Sequence, residues 1–213
     1  MRKHLATEFR RPEAPYSRQA FEALLERWDG RQPLVLDSAC GTGESTAVLA
    51  RRHPRALVVG VDQSEERTTR GLRKLAGTLP GNALVLRAEV TDLWALLARR
   101  GARLSHHYLL YPNPWPKAEH LMRRWHGHPR LGDLLRLGGR LELRTNWDVY
   151  AMEFAQALAL LGIGATLETV AEEPALTPFE RKYRQSGHRL WRLRADLPAA
   201  LVPAPAPGHD HAA

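Results

Sequence analysis

The feature that most constrains this chain is a rhythm of short apolar runs returning at regular intervals: PLVLDS (33–38), ALVVGVD (56–62), NALVLRAE (82–89), LSHHYLLY (104–111) and GRLELRT (139–145). Runs of this length, rich in Val and Leu and bounded by turn residues, predict buried β-strands. Between them lie helical patterns. One starts at Glu44 and must stop near His53, because Pro54 disfavours helical geometry in the residue before it. SEERTTRGLRKLAG has a polar-faced helical pattern, and Asp92 can cap the helix LWALLARR. PRLGDLLRLGG is closed by Gly138 and Gly139, and WDVYAMEFAQALALLG is long and amphipathic. Ahead of the first strand, Ser17 can cap a helix running to about Trp28. ATLETV and HRLWRLRA add two strands, separated by a polar segment containing TPFERKYR. Seven strands with regular helical crossovers predict an α/β fold: a doubly wound, mostly parallel seven-stranded sheet with helices on both faces.

This reading divides the chain into a basic N-terminal segment and helix (1–32), one α/β domain (33–197) and a Pro- and Ala-rich tail (198–213). The tail has too little apolar surface to form a core and is expected to be disordered.

In such a sheet, ligands bind outside the carboxyl ends of the strands. The first exit, LDSACGTG, places Asp37 at a strand end, with Gly41 and Gly43 free to form a tight turn close to a ligand. It lacks the third glycine of a dinucleotide-binding fingerprint. At the second exit, Asp62 can accept hydrogen bonds from both hydroxyls of a ribose, with Gln63 beside it. The third offers Glu89 as an acceptor for an exocyclic amine such as adenine N6, and Val90 for stacking. Together these residues suggest a nucleoside cofactor, although Asp62 and, more so, Glu89 taken singly can also be read as solvated loop carboxylates.

Charge supplies the partner class. Lys and Arg exceed Asp and Glu by 31 to 23, a formal net charge of +8. The excess is concentrated in MRKHLATEFRR, ARRGAR, KAEHLMRRWHGHPR and RKYRQSGHRLWRLR, and most of these segments carry or flank an aromatic. Such surfaces suit a polyanion, with phosphates bound by charge and bases by stacking. No apolar run approaches the roughly 20 residues of a membrane span. The opening residues do not form a signal peptide, so a soluble, cytoplasmic protein is expected, as a monomer or homodimer. The single cysteine, Cys40, excludes an internal disulfide and a cysteine-cluster zinc site.

From about Leu34 to Arg194 the chain resembles the bacterial tRNA (guanine-N7)-methyltransferases, which are class I S-adenosylmethionine (SAM)-dependent enzymes. LDSACGTG resembles the family's acid-bearing strand and GxG turn, and Asp62 its second-strand acid. Glu89 matches an acid that contacts the cofactor adenine in that family. YPNPWPK (111–117), with KAEHLMRRW behind it, resembles the aromatic-Pro-Asp-Pro-Trp signature and its following basic helix. Thr145, Asn146 and Trp147 resemble a Thr-Asp-Trp segment. TPFE (177–180) resembles Thr-Lys-Phe-Glu, a segment that helps hold the target nucleoside.

The resemblance implies SAM as cofactor, tRNA or another structured RNA as partner, and methylation of guanosine N7 in the tRNA variable loop. It assigns cofactor binding to Asp37, Gly41, Gly43, Asp62, Gln63, Glu89 and Val90. Asn113 takes the catalytic position, and Lys117, Asn146, Thr177, Phe179 and Glu180 would contact the substrate.

Asn113 and Asn146 stand where the family has aspartates. An amide keeps an acceptor oxygen and loses the charge, at a cost of about 1 kcal/mol per swap. Three readings follow: an N7 methyltransferase with altered residues, a methyltransferase for another substrate, or a cofactor- and RNA-binding paralogue without catalysis.

Overall fold

The computed structural model describes residues 9, 11–170 and 174–198. Most of the basic opening segment, and the tail beyond Pro198, lie outside the described residues, so the expectation of a disordered tail concerns residues not described here.

Helix α1 (Pro15–Arg27) leads into β1 (Leu34–Ser38), α2 (Glu44–Arg52), β2 (Leu57–Asp62), α3 (Glu65–Lys74), β3 (Ala83–Arg87), α4 (Val90–Arg99) and β4 (Leu104–Leu110). Two short 3-10 segments follow, Ala118–Arg123 and Trp125–Gly127. The chain then forms α5 (Leu131–Leu137), β5 (Gly139–Thr145), α6 (Asp148–Ala159), β6 (Thr166–Thr169), α7 (Pro178–Gln185) and β7 (Trp191–Leu197). The seven strands make one sheet in the order β3-β2-β1-β4-β5-β7-β6. The first five are parallel, while β7 runs antiparallel to both β5 and β6. The predicted doubly wound, mostly parallel sheet is therefore the one formed.

Every residue of β1 and β2 is buried, which explains why these strands read as unbroken apolar runs. Strand order reverses between β1 and β4, so their exits diverge and leave a crevice at the carboxyl edge. Two glycines let the helices close on this edge. A Cβ on Gly60 would stand 2.1 Å from Thr46 Oγ1, and one on Gly71 would stand 2.0 Å from the Thr42 carbonyl oxygen. Close approach of α2 to β2, and of α3 to the turn after β1, thus depends on glycines outside that turn.

Several local expectations are corrected. Ser17 does not cap its own helix: it is buried inside α1, and its Oγ accepts from the Glu89 backbone N–H at 3.1 Å, at the start of α4. Asp92 is fully buried in the first turn of α4, and its Oδ2 accepts from the Ala14 N–H at 3.0 Å, at the start of α1. The two helices cap each other crosswise.

The predicted basic helix after YPNPWPK is instead the pair of 3-10 segments, interrupted at Arg124, whose backbone is extended. The Arg124 guanidinium folds back to the Trp115 and Pro116 carbonyls and is also paired with Glu153 on α6. A continuous helix would break these bonds. TPFERKYR, expected as a polar connection, contains α7, opened by Thr177 as N-cap, with its Oγ1 accepting from Glu180 N–H at 2.9 Å.

His106 and His107, adjacent in β4, face opposite ways. His107 is buried with Nε2 2.9 Å from Ser38 Oγ, and burial pushes its imidazole down to about 3, so it is neutral. His106 packs against His53.

Candidate active site

The exits of β1 to β5 and the start of α7 surround one cleft of about 1140 Å³. Gly41, Asp62, Gln63, Glu89 and Val90 line one end; Asn113, Asn146, Thr177 and Phe179 line the other. The sequence-predicted residues at these positions are therefore brought together from segments far apart in the chain.

At the first end, Gly41 has φ of 60°, a conformation costly for other residues, and nothing lies within 4 Å of where its Cβ would stand. Its N–H donates to Asp62 Oδ2 at 3.0 Å, while Asp62 Oδ1 accepts from Ser64 N–H at 2.9 Å. These bonds fix the second-strand carboxylate relative to the turn. The Gln63 amide, with its nitrogen turned to Glu89, donates to the two carboxylate oxygens at 3.1 and 3.3 Å. Glu89 also accepts from Tyr16 Oη at 2.9 Å and lies 3.3 Å from the Arg11 guanidinium. Its position is set by α1 as much as by β3.

Asp37 and Gly43 lie behind this wall. Asp37 is fully buried, and its Oδ2 accepts from Ser45 Oγ at 2.6 Å and Thr46 Oγ1 at 2.8 Å. Its Oδ1 has no partner among the described residues. Desolvation, opposed by the two hydroxyl bonds, raises its carboxyl to about 6. A Cβ on Gly43 would meet Val85 Cγ2 at 2.7 Å, so this glycine is required by packing as well as by its φ of 74°. Cys40 lines the cleft. Desolvation, with Asp37 and Asp62 nearby, pushes its thiol well above the ordinary range, so it is not an activated nucleophile.

At the other end, Tyr111 and Trp115 have φ of 53° and 45°, conformations that need support from surrounding structure. Tyr111 N–H donates to the Arg144 carbonyl at 2.7 Å, and Arg124 holds the Trp115 carbonyl. Between them, Asn113 Oδ1 accepts from Trp115 N–H at 3.2 Å in an Asx-type turn. Asn146 Nδ2 is 3.2 Å from His188 Nδ1. Trp147 is exposed at the wall, and the Arg123 guanidinium lies 4.7 Å from the Trp115 ring centroid.

Two predicted substrate residues do not reach the cleft wall. Lys117 points to solvent, its ammonium 3.9 Å from Glu119. Glu180 is fully buried, with Oε1 accepting from Arg144 at 3.0 Å and Arg184 at 2.7 Å. Arg144 also donates to Glu142 at 2.7 Å. Burial opposes ionisation of Glu142, but Arg144 and Arg194 hold its carboxyl below the ordinary range. Glu180 thus belongs to a charged network beneath the site. Arg124 and His188 are the residues that sequence reasoning passed over, and no spacing pattern marks either.

The fold can now be placed among known ones. It is shared with the 16S rRNA (adenine(1408)-N(1))-methyltransferase from Catenulisporales acidiphilia, solved with its cosubstrate SAM, at a TM-score of 0.61 and 19% identity over 86% of this chain and 94% of that one. Residues 31–193 match the family model described as "Putative methyltransferase". Fold and family model together define a Rossmann-like methyltransferase. The tRNA (guanine-N(7)-)-methyltransferase of Rubrobacter xylanophilus is 31% identical, over 79% of this chain and 75% of that one. The enzyme of the same name from Burkholderia ambifaria is 32% identical, over 81% of this chain and 72% of that one. The chain belongs to the tRNA (guanine-N7-)-methyltransferase family.

Proposed function

We propose that the protein methylates N7 of a guanosine in the tRNA variable loop. The observation that carries this reading is the single cleft joining the two sets of strand exits: one end suits a nucleoside cofactor, and the other has amides and tryptophans suited to a purine. When bound, SAM supplies an electrophilic methyl group on a sulfonium. The residues present suit it. Gly41 leaves room for a ligand against the backbone, Asp62 is held ready to accept from a ribose, and Glu89 to accept from an adenine amine. The buried Asp37 Oδ1 offers an unused acceptor beneath the turn.

N7 of guanine has a free lone pair, so no residue has to act as a base. The side chains need only orient the purine and favour the positive charge that grows on it as the methyl arrives. Trp115 and Trp147 form walls, and Arg124 holds the loop that carries Asn113. Phe179 and Thr177 border the same end, while Glu180 acts indirectly by anchoring α7 through Arg144.

Incubation with methyl-labelled SAM and unmodified tRNA should yield 7-methylguanosine on nucleoside analysis. Label on a different nucleoside, or none despite cofactor and RNA binding, would overturn the proposal. Asn113→Asp should raise the rate. Aspartate keeps the bond from Trp115 N–H and places a second, charged oxygen where Nδ2 now stands. The gain expected is about fivefold to tenfold, the difference between a neutral and a charge-assisted interaction. Single-turnover measurements would test it, and an unchanged or slower rate would count against electrostatic stabilisation from this position.

A further inference from the structure

We propose that His188 is a positioning residue for base selection, fixing the Asn146 amide so that its carbonyl oxygen, not its nitrogen, faces the target purine. This inference rests on the N7-guanosine reading above. An asparagine differs from the family's aspartate in a way that charge alone does not capture. A carboxylate presents an acceptor whichever way it turns, whereas an amide presents either a donor or an acceptor, and something must decide which.

In this structure the segment after α7 supplies the amide's partner. Asn146 stands at the exit of β5 on the cleft wall, and its Nδ2 is 3.2 Å from His188 Nδ1. With Nδ1 as acceptor, the amide nitrogen is engaged. Oδ1, which has no partner among the described residues, is then the end left for a ligand.

His188 is itself held. Gly187 turns the chain with φ of 71°, His188 N–H donates to the Tyr183 carbonyl at 3.0 Å, and the imidazole packs on the Tyr183 ring at 5.3 Å between centroids. Tyr183 in turn packs on Tyr111 at 5.7 Å, at the start of the loop carrying Asn113. The two amides of the site are thus oriented by different neighbours, Asn113 by Trp115 N–H and Asn146 by His188.

A fixed acceptor at Asn146 complements guanine, whose Watson–Crick edge carries the N1–H and N2 amine donors. At the N1 position it opposes adenine, whose N1 is an acceptor where guanine has a donor; adenine's N6 amine, its one Watson–Crick donor, lies on the side where guanine carries O6. An amide free to turn would accommodate either. Loss of His188 should therefore lower selectivity more than it lowers turnover on the best substrate.

The test compares His188→Ala and His188→Asp with the wild-type protein in single-turnover methyl transfer, using tRNAs with guanosine or adenosine at the mapped target position. Cofactor affinity and thermal stability are measured alongside. His188→Ala should reduce the guanosine-to-adenosine preference about tenfold, the factor carried by one neutral hydrogen bond. SAM affinity should not change. His188→Asp, which places an acceptor-only carboxylate near the former Nδ1, should restore much of the preference. An unchanged preference in His188→Ala, or a loss in both variants that follows melting temperature, would overturn the inference while leaving the N7 reading intact. Absence of 7-methylguanosine from the wild-type protein would overturn the N7 reading and this inference with it.

Discussion

A buried acid with one unused oxygen is the residue around which the cofactor end is built. Asp37 lies at the end of β1, where Ser45 and Thr46 from the first turn of α2 donate to one oxygen and no described group donates to the other. Its carboxyl is raised from 3.8 to about 6, chiefly by desolvation. The folded chain therefore binds this proton more tightly than the unfolded chain, and stability falls as pH rises from about 4 to 6. Above about pH 6 the full cost is present, of order 3 kcal/mol at roughly 1.4 kcal/mol per pH unit. Asp37→Asn removes the buried charge while keeping an acceptor for the two hydroxyls. It should raise the melting temperature of the cofactor-free protein by a few degrees at pH 8, and the gain should vanish near pH 4. Thermal melts of the two proteins across that range check the sign; a variant less stable at pH 8 than the wild type would contradict it.

The crosswise capping of α1 and α4 makes the N-terminal helix part of the cofactor site without lining it. Ser17 Oγ receives the Glu89 N–H, and Asp92 Oδ2 receives the Ala14 N–H, so removing either side chain leaves the other helix with a partly buried, unpaired N–H. Ser17→Ala should cost about 1 kcal/mol of stability, as loss of a helix cap does. It should also weaken SAM binding several-fold, because Glu89 loses part of its support. Calorimetric titration checks this, and unaltered affinity would show that Tyr16 and Gln63 hold Glu89 unaided.

The element scale also shows what the sequence could and could not convey. The alternation of apolar runs with helical patterns made the sheet legible, because burial on both faces leaves a run of Val and Leu that needs no tertiary information to recognise. The caps were legible as residue types but not as pairings: Ser17 and Asp92 are good helix-start residues, and only the packing of α1 against α4 decides whose start each one serves. Helix α7 did carry a local signal, Thr177 followed three residues later by Glu180, with proline at the first helical position. Its exposed, charged face obscured that signal. The resemblance of TPFE to Thr-Lys-Phe-Glu assigns Glu180 to the substrate, but a motif match carries no information about burial, which here turns the carboxylate inward onto Arg144 and Arg184. Lys117, beside the strongest motif in the chain, points to solvent.

Across the whole molecule, only part of the positive charge borders the cleft. Arg11, Arg67, Arg70, Lys74 and Arg123 all border it. Most of these pair with acids: Arg11 with Glu89, Arg67 with Asp62, Arg70 with Glu66 and Lys74 with Glu44. Arg123 instead lies over the face of Trp115, on the side of the cleft assigned to the substrate. It needs to break no ion pair among the described residues to meet a phosphate, which makes it the cation best placed to bind RNA backbone. Each phosphate neutralised releases counterions and steepens the dependence of binding on salt. RNA affinity should fall steeply with ionic strength, and Arg123→Gln should weaken binding while reducing the slope of log affinity against log salt by about one. Filter binding of tRNA over a range of potassium chloride concentrations measures both. A weaker complex with an unchanged slope would mean that Arg123 acts by packing on Trp115 and shaping the base-binding wall, not by meeting a phosphate.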